Sequence, residues 1–171
     1  VEDFGRGIPL DWNEKEQRYN WELVFCELYA GGKYNNNDGG AYEYSLGLNG
    51  LGACATQYAS EFMQVTAYTG GTKYSISFEK GEPVTELIKE ECPKNKRGTV
   101  IRWKSDSEVF TDINISREFF SDQLKKQAVV NGGLSLNLKW QMPDGSFETE
   151  SYCYANGVED YIAEMVGVNY L

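Results

Sequence analysis

Apolar positions recur along this chain with two periods, and the period changes where glycine and asparagine interrupt it. Trp21, Val24, Phe25 and Leu28 lie three, one and three residues apart, the spacing of one helix face, and Asn20 stands where an N-cap belongs. Gly31-Gly32 predicts the end of that helix near Ala30. From 31 to 46 the composition turns to Gly, Asn, Asp and Tyr, which predicts a long loop. Gly47-Leu48-Asn49-Gly50-Leu51-Gly52 then reads as a glycine turn that opens a helix running through Tyr58. Beyond it, 63–68 and 73–78 flank Thr69-Gly70-Gly71-Thr72, a hairpin signal, and the Val/Ile/Trp-rich stretch 99–104 predicts another strand. Ser116 is placed to cap a helix with Phe119, Phe120, Leu124 and Ala128 on its buried face. Leu134, Leu136, Leu138 and Trp140 alternate ahead of a turn at Pro143-Asp144-Gly145-Ser146, and a last helix from Asn156 is expected to bury Val158, Ile162 and Met165. Helices mixed with antiparallel strands, without regular βαβ alternation, predict an α+β fold: a mixed, largely antiparallel sheet with helices on one face.

Length and charge narrow the function classes. The 171 residues suit a single domain spanning 1–171 with a real core. A formal charge of −10 shows no basic stripe of a self-sufficient nucleic-acid binder, so no direct nucleic-acid contact is expected. No apolar run reaches membrane-spanning length, and no membrane partner is expected. The cysteines at 26, 54, 92 and 153 form no C-x-x-C pair and histidine is absent, which removes the usual metal ligands and His-based nucleophiles; no metal site is expected in the chain itself. Free, mostly buried thiols in a reducing cytoplasm are the plain expectation, with a disulfide left open by their even number. The chain starts at Val1, not Met, and enters a motif within two residues, which suggests a fragment.

Two glycine motifs carry the candidate chemistry. Glycines at 47, 50 and 52 remove Cβ atoms that would hold a ligand off the backbone, and the first N–H groups of the following helix face that ligand at the positive end of the helix dipole. Such a turn suits a polyphosphate, although a tight turn without ligand has the same letters. Asp3-Phe4-Gly5-Arg6-Gly7-Ile8-Pro9 is the second motif. Asp3 offers an acceptor for an exocyclic amine, or is a turn aspartate. Gly5 and Gly7 let backbone approach a ring, Pro9 stiffens the exit, and Arg6 either covers the edge of a purine or makes a surface ion pair. Lys33 in the 31–46 loop either reaches a phosphate or is solvated. Thr99 is a β-branched residue in a strand, which by itself requires no ligand role. Twelve tyrosines and four tryptophans beside Gly/Asn loops also allow an unrelated carbohydrate- or peptide-binding surface.

Asp3–Pro9, Ala30-Gly31-Gly32-Lys33, Gly47–Gly52 and Gly98-Thr99-Val100, in this order, resemble the ATP-binding domain of the B subunits of bacterial type IIA topoisomerases, DNA gyrase and topoisomerase IV, within the GHKL ATPase group. The likeness extends over essentially the whole chain. It implies a GHKL-type sandwich, incomplete at its N-terminus, with 31–46 as the ATP lid. It further implies ATP with Mg²⁺ as cofactors and an ATP site made of Asp3, Gly5, Arg6, Gly7, Pro9, Lys33, Leu48, Asn49, Gly50, Leu51, Gly52 and Thr99. Asn49 occupies the family's histidine position and Phe4 an asparagine position. The family's catalytic glutamate and Mg²⁺-holding asparagine belong to a helix upstream of the first motif, so this chain alone is expected to be inactive, with no catalytic residue of its own. The parent would be an ATP-hydrolysing topoisomerase that dimerises through this domain and meets the A subunit and DNA in the holoenzyme. A module that binds nucleotide without hydrolysis is the alternative.

Overall fold

The computed structural model describes residues 1–29 and 50–167. They form two compact units, Val1–Ile113 and the residues from Asn114 onward. The expected lid at 31–46 lies outside the described residues, as do Lys33, Leu48 and Asn49.

The first unit is built on an antiparallel sheet. Strand β3 (Ser60–Thr69) turns at Gly70-Gly71 into β4 (Thr72–Glu79), and β7 (Gly98–Ser105) pairs with the other side of β3. The short strands β5 (Glu82–Pro83) and β6 (Ile88–Glu91) both pair with β4. A separate two-stranded ribbon joins β1 (Trp12–Asn13) to β2 (Arg18–Tyr19). Period two sorts the faces: Met63, Val65 and Ala67 on β3, with Ile76 and Phe78 on β4, form the core together with Leu10 and Phe25. Helix α1 (Asn20–Phe25) covers that face through Trp21, Val24 and Phe25, and α2 (Gly52–Tyr58) adds Ala53. The α+β class expected from the sequence therefore holds, with both helices of this unit on the core side of its sheet.

Two boundaries of α1 differ from the expectation. Asn20 is the first helical residue instead of the cap: its side chain donates to Asp11 Oδ1 at 3.0 Å and accepts from Asn13 Nδ2 at 2.9 Å. Glu22 instead receives the Tyr19 N–H at 3.1 Å, satisfying the donor ahead of the helix. The helix ends at Phe25, well before Ala30; Cys26 closes it, and Tyr29 adopts a left-handed φ of 64°. Leu28 is left exposed.

The second unit holds α3 (Arg117–Val130), the hairpin β8 (Leu136–Gln141) and β9 (Phe147–Tyr152), and α4 (Val158–Val166). Ser116 caps α3 as expected, accepting from Phe119 N at 3.3 Å. The buried faces of both helices differ from those the apolar spacing predicts. On α3 Ala128 is buried as expected, together with Val129 and packed with Tyr154, whereas Phe119 and Phe120 are exposed and lie edge-to-face. On α4 Gly157 is the N-cap, Val158, Ile162 and Met165 are exposed, and Tyr161 makes the inward contact. A ring held edge-on against Tyr154, with Lys125 Nζ 5.5 Å from its centroid, outcompetes the aliphatic stripe.

So small an apolar core leaves polar contacts a large share of the work. Arg117 donates to Glu150 Oε1 at 2.7 Å and Ser121 to Glu150 Oε2 at 2.6 Å, with Tyr152 adding a third donor. Hydrogen bonds from Ser121, Tyr152 and Arg117 hold the Glu150 carboxyl down from 4.5 to about 2. A depressed carboxyl stabilises the fold fully above its unfolded value and loses that contribution as pH falls toward its folded one. The second unit is therefore expected to weaken between pH 4.5 and about 2. Glu150→Gln should lower its melting temperature at pH 7 but not at pH 2, measured from β9 amide signals against temperature. An equal gap at both pH values would contradict this origin.

All four cysteines are free, and burial pushes the Cys26 thiol up to about 11. Among the described residues no helix is long and apolar enough to cross a membrane.

Candidate functional site

The chain start is not a tail but an extra edge of the sheet. Val1 N donates to Ile101 O and Ile101 N to Val1 O, both at 2.8 Å. Asp3 N donates to Thr99 O at 2.9 Å and Thr99 N returns to Asp3 O at 3.3 Å. Residues 1–3 thus run antiparallel along β7, and two segments 96 residues apart in sequence meet at one pair.

The Asp3 carboxylate is fixed by backbone. Its Oδ1 accepts from Gly5 N at 2.8 Å and from Thr99 N at 3.3 Å. Both bonds go to Oδ1, so the carboxylate retains Oδ2 as a second acceptor atom. Thr99 is 6% exposed, and its Oγ1 accepts from Ile8 N at 3.1 Å. A hydroxyl that accepts one bond still has its own O–H to donate. A carboxylate acceptor beside a hydroxyl donor complements the amino and ring-nitrogen edge of adenine; a base that reverses either group leaves a polar atom unpaired.

Two glycines make this convergence possible. A Cβ on Gly7, at φ 84°, would lie 2.7 Å from Tyr68 O, and one on Gly98, at φ 119°, only 1.9 Å from Asp3 O. Backbone crosses backbone here with no space for a side chain. Arg6 and Pro9 are exposed beside the turn, and Phe4 is exposed as well.

The second motif is described only from Gly50. Gly52 opens α2, a Cβ there would meet nothing within 4 Å, and the first helical bond runs from Ala55 N to Leu51 O at 2.8 Å. The N–H groups of residues 52–54 therefore precede any intrahelical acceptor. Ile8, next to Gly7, and Ala53, next to Gly52, pack against the same core cluster. Asp3, Gly5, Gly7 and Thr99 are brought together directly; Gly50, Leu51 and Gly52 share only that core with them. Among the described residues no acidic or thiol cluster is suited to a metal ion.

One feature has no counterpart in the sequence pattern. Gln57 on α2 is fully buried, and among the described residues neither its Nε2 nor its Oε1 has a hydrogen-bond partner. Its only sequence signal is the three-residue spacing from the buried Cys54.

No protein-family model matches the chain. It is 34% identical over 163 residues to the B protein of DNA gyrase from Staphylococcus aureus, a match covering 95% of this chain and 25% of that protein. The gyrase B protein of Staphylococcus epidermidis is 35% identical over the same length and coverage. Among solved structures, the 43K ATPase domain of Thermus thermophilus gyrase B, crystallised with an aminocoumarin, is similar with a TM-score of 0.72 and 25% identity, over 96% of this chain and 39% of that one. The chain spans about a quarter of the length of the curated relatives it matches. In sequence and in fold it is similar to the gyrase B ATPase domain.

Proposed function

We propose that this chain, kin to the gyrase B ATPase domain along nearly all of its length, is an ATP-binding part of a type II DNA topoisomerase. The observation that carries the reading is the direct meeting of Asp3 with Thr99, whose N–H donates to Asp3 Oδ1 at 3.3 Å, in the motifs that the resemblance assigns to adenine recognition. Asp3, Gly5, Arg6, Gly7, Pro9 and Thr99 take the adenine side. Lys33, Leu48, Asn49, Gly50, Leu51 and Gly52 take the phosphate side, with both units belonging to one ATP-binding domain over 1–171 and 31–46 as its lid. Mg²⁺ would accompany the nucleotide and neutralise phosphate charge, through ligands other than these motif residues.

In the parent protein, located in the cytoplasm, ATP-dependent closure of two such domains would gate DNA passage together with the A subunit. Closure is driven only by as much as nucleotide prefers the closed state. No glutamate of this chain stands at a motif position for orienting water, so the chain by itself is expected to bind ATP weakly and not to hydrolyse it.

An NMR titration tests the reading. ATP in the range of about 0.1 to 5 mM should shift the amides of Gly5, Ile8 and Thr99, whereas GTP should not. No adenine-selective shift at these amides would overturn the assignment.

A further inference from the structure

The corner where the chain start crosses β7 has a second side. Glu2 pairs with Val100, which pairs in turn with Thr66 on β3, whereas Thr99 pairs with Ala67 of the core. Pairing and period two together put Glu2, Val100 and Tyr68 on the sheet face away from Thr99. Over that corner Glu2, Phe4, Tyr68, Lys96, Arg97 and Val100 line a cavity of about 250 Å³, which Asp3 also touches.

The charges in this cavity are mixed and uncommitted. Lys96 Nζ lies 3.9 Å from the centroid of Tyr68 and caps that ring. Lys73, opposite Tyr68 on β4, is held by Glu90 at 2.6 Å. Glu2 and Arg97 enter no ion pair among the described residues, with each other or with any other group. Phe4 is 74% exposed, which leaves its ring largely uncovered. The carboxylate of Glu2 opposes a phosphate or a polyanion here, and the two cations oppose a polyamine. Opposite charges that share a cavity without neutralising each other suit a ligand that brings both.

We propose that this cavity binds a small zwitterion carrying a planar apolar group, the chemistry of a free aromatic α-amino acid. Arg97, a planar fork of donors, takes the carboxylate through parallel hydrogen bonds, and Glu2 takes the ammonium. The ring of the ligand packs on Phe4 and Val100. A volume of about 250 Å³ lies below the roughly 300–1,000 Å³ of drug-sized sites and suits a ligand of about a dozen non-hydrogen atoms. Asp3 is shared with the proposed nucleotide site, but Glu2, Arg97 and Phe4 recognise this ligand, so neither reading rests on the other.

The test is an NMR titration of the 171-residue chain with L-phenylalanine from about 0.1 to 20 mM. The amides of Phe4, Arg97 and Val100 should shift with a Kd of about 1–5 mM, the affinity of a ligand this small. 3-Phenylpropionate, without the ammonium, and phenethylamine, without the carboxylate, should each bind about 5-fold more weakly. Arg97→Gln should weaken L-phenylalanine and phenylpropionate about 5-fold without weakening phenethylamine. Glu2→Gln should weaken L-phenylalanine and phenethylamine and spare phenylpropionate. Glycine, without the ring, should bind at least about 10-fold more weakly than L-phenylalanine. Both substituted side chains are exposed, so the fold should keep its melting temperature in each variant. Adenine-selective shifts at Gly5, Ile8 and Thr99 report the nucleotide site separately, and their failure would overturn that reading alone. No shift up to the highest concentration, equal affinity for the three phenyl compounds or for glycine, or binding indifferent to both Glu2 and Arg97 would each overturn the proposal.

Discussion

Gly98→Ala is expected to detach the chain start from the sheet and to abolish the nucleotide site with it. The new methyl would sit 1.9 Å from Asp3 O and 2.8 Å from Asp3 C, both backbone atoms that no rotamer change can move. Relief requires residues 1–4 to swing off β7. That breaks the paired bonds between Val1 and Ile101 and between Asp3 and Thr99, and it removes the second acceptor of Thr99 N. Positive φ adds strain on its own, of about 1–3 kcal/mol. With several hydrogen bonds at about 1 kcal/mol each, the loss should be about 3 kcal/mol or more. Urea unfolding measures it, and hydrogen exchange at Asp3 and Thr99 locates it. Gly133→Ala is the control: its φ is 82°, but a Cβ there meets nothing within 4 Å. If the two substitutions cost the same, the crossing at Gly98 is not the point on which the site depends.

Asp3→Asn should have the opposite profile, preserving the fold while removing recognition. The retained oxygen still accepts from Gly5 N and Thr99 N, so the turn keeps its bonds. The other carboxylate oxygen becomes an NH₂, which turns the outward acceptor into a donor. Two donors would then face each other across an adenine amino group. Affinity for ATP should fall about 100-fold, since a site built around a hydrogen bond rejects a partner that cannot complete it. The amide shifts at Ile8 and Thr99 should vanish with ATP and reappear with inosine triphosphate, whose 6-oxo group accepts. A melting temperature within about 2 °C of the parent would show that the loss is not unfolding. ATP binding undiminished by this substitution would remove Asp3 from base recognition.

Local elements were legible where one face of a strand or helix meets a core and a turn is written in glycine. The hairpin at Thr69–Thr72 and the cap at Ser116 are of this kind, because neighbouring residues alone determine them. Legibility failed where two candidate faces compete. Nothing near α4 in sequence says that Tyr161 would pack on Tyr154 while Ile162 stayed exposed. Asn20 likewise looks like a cap until Asp11 and Asn13 engage its side chain.

The candidate site divides along the same line. Asp3, Gly7, Gly98 and Thr99 could be named from their letters. Their arrangement could not. That Asp3 lies beside Thr99, that Gly98 must lack a side chain because Asp3 O crosses it, and that Arg102 faces away from Thr99 all follow from pairing between distant strands. Sequence by itself determined which chemical groups exist and the period of each element. Only the tertiary structure decided which of them meet, because strand register is a long-range choice and a shift of one residue would send every side chain to the other face.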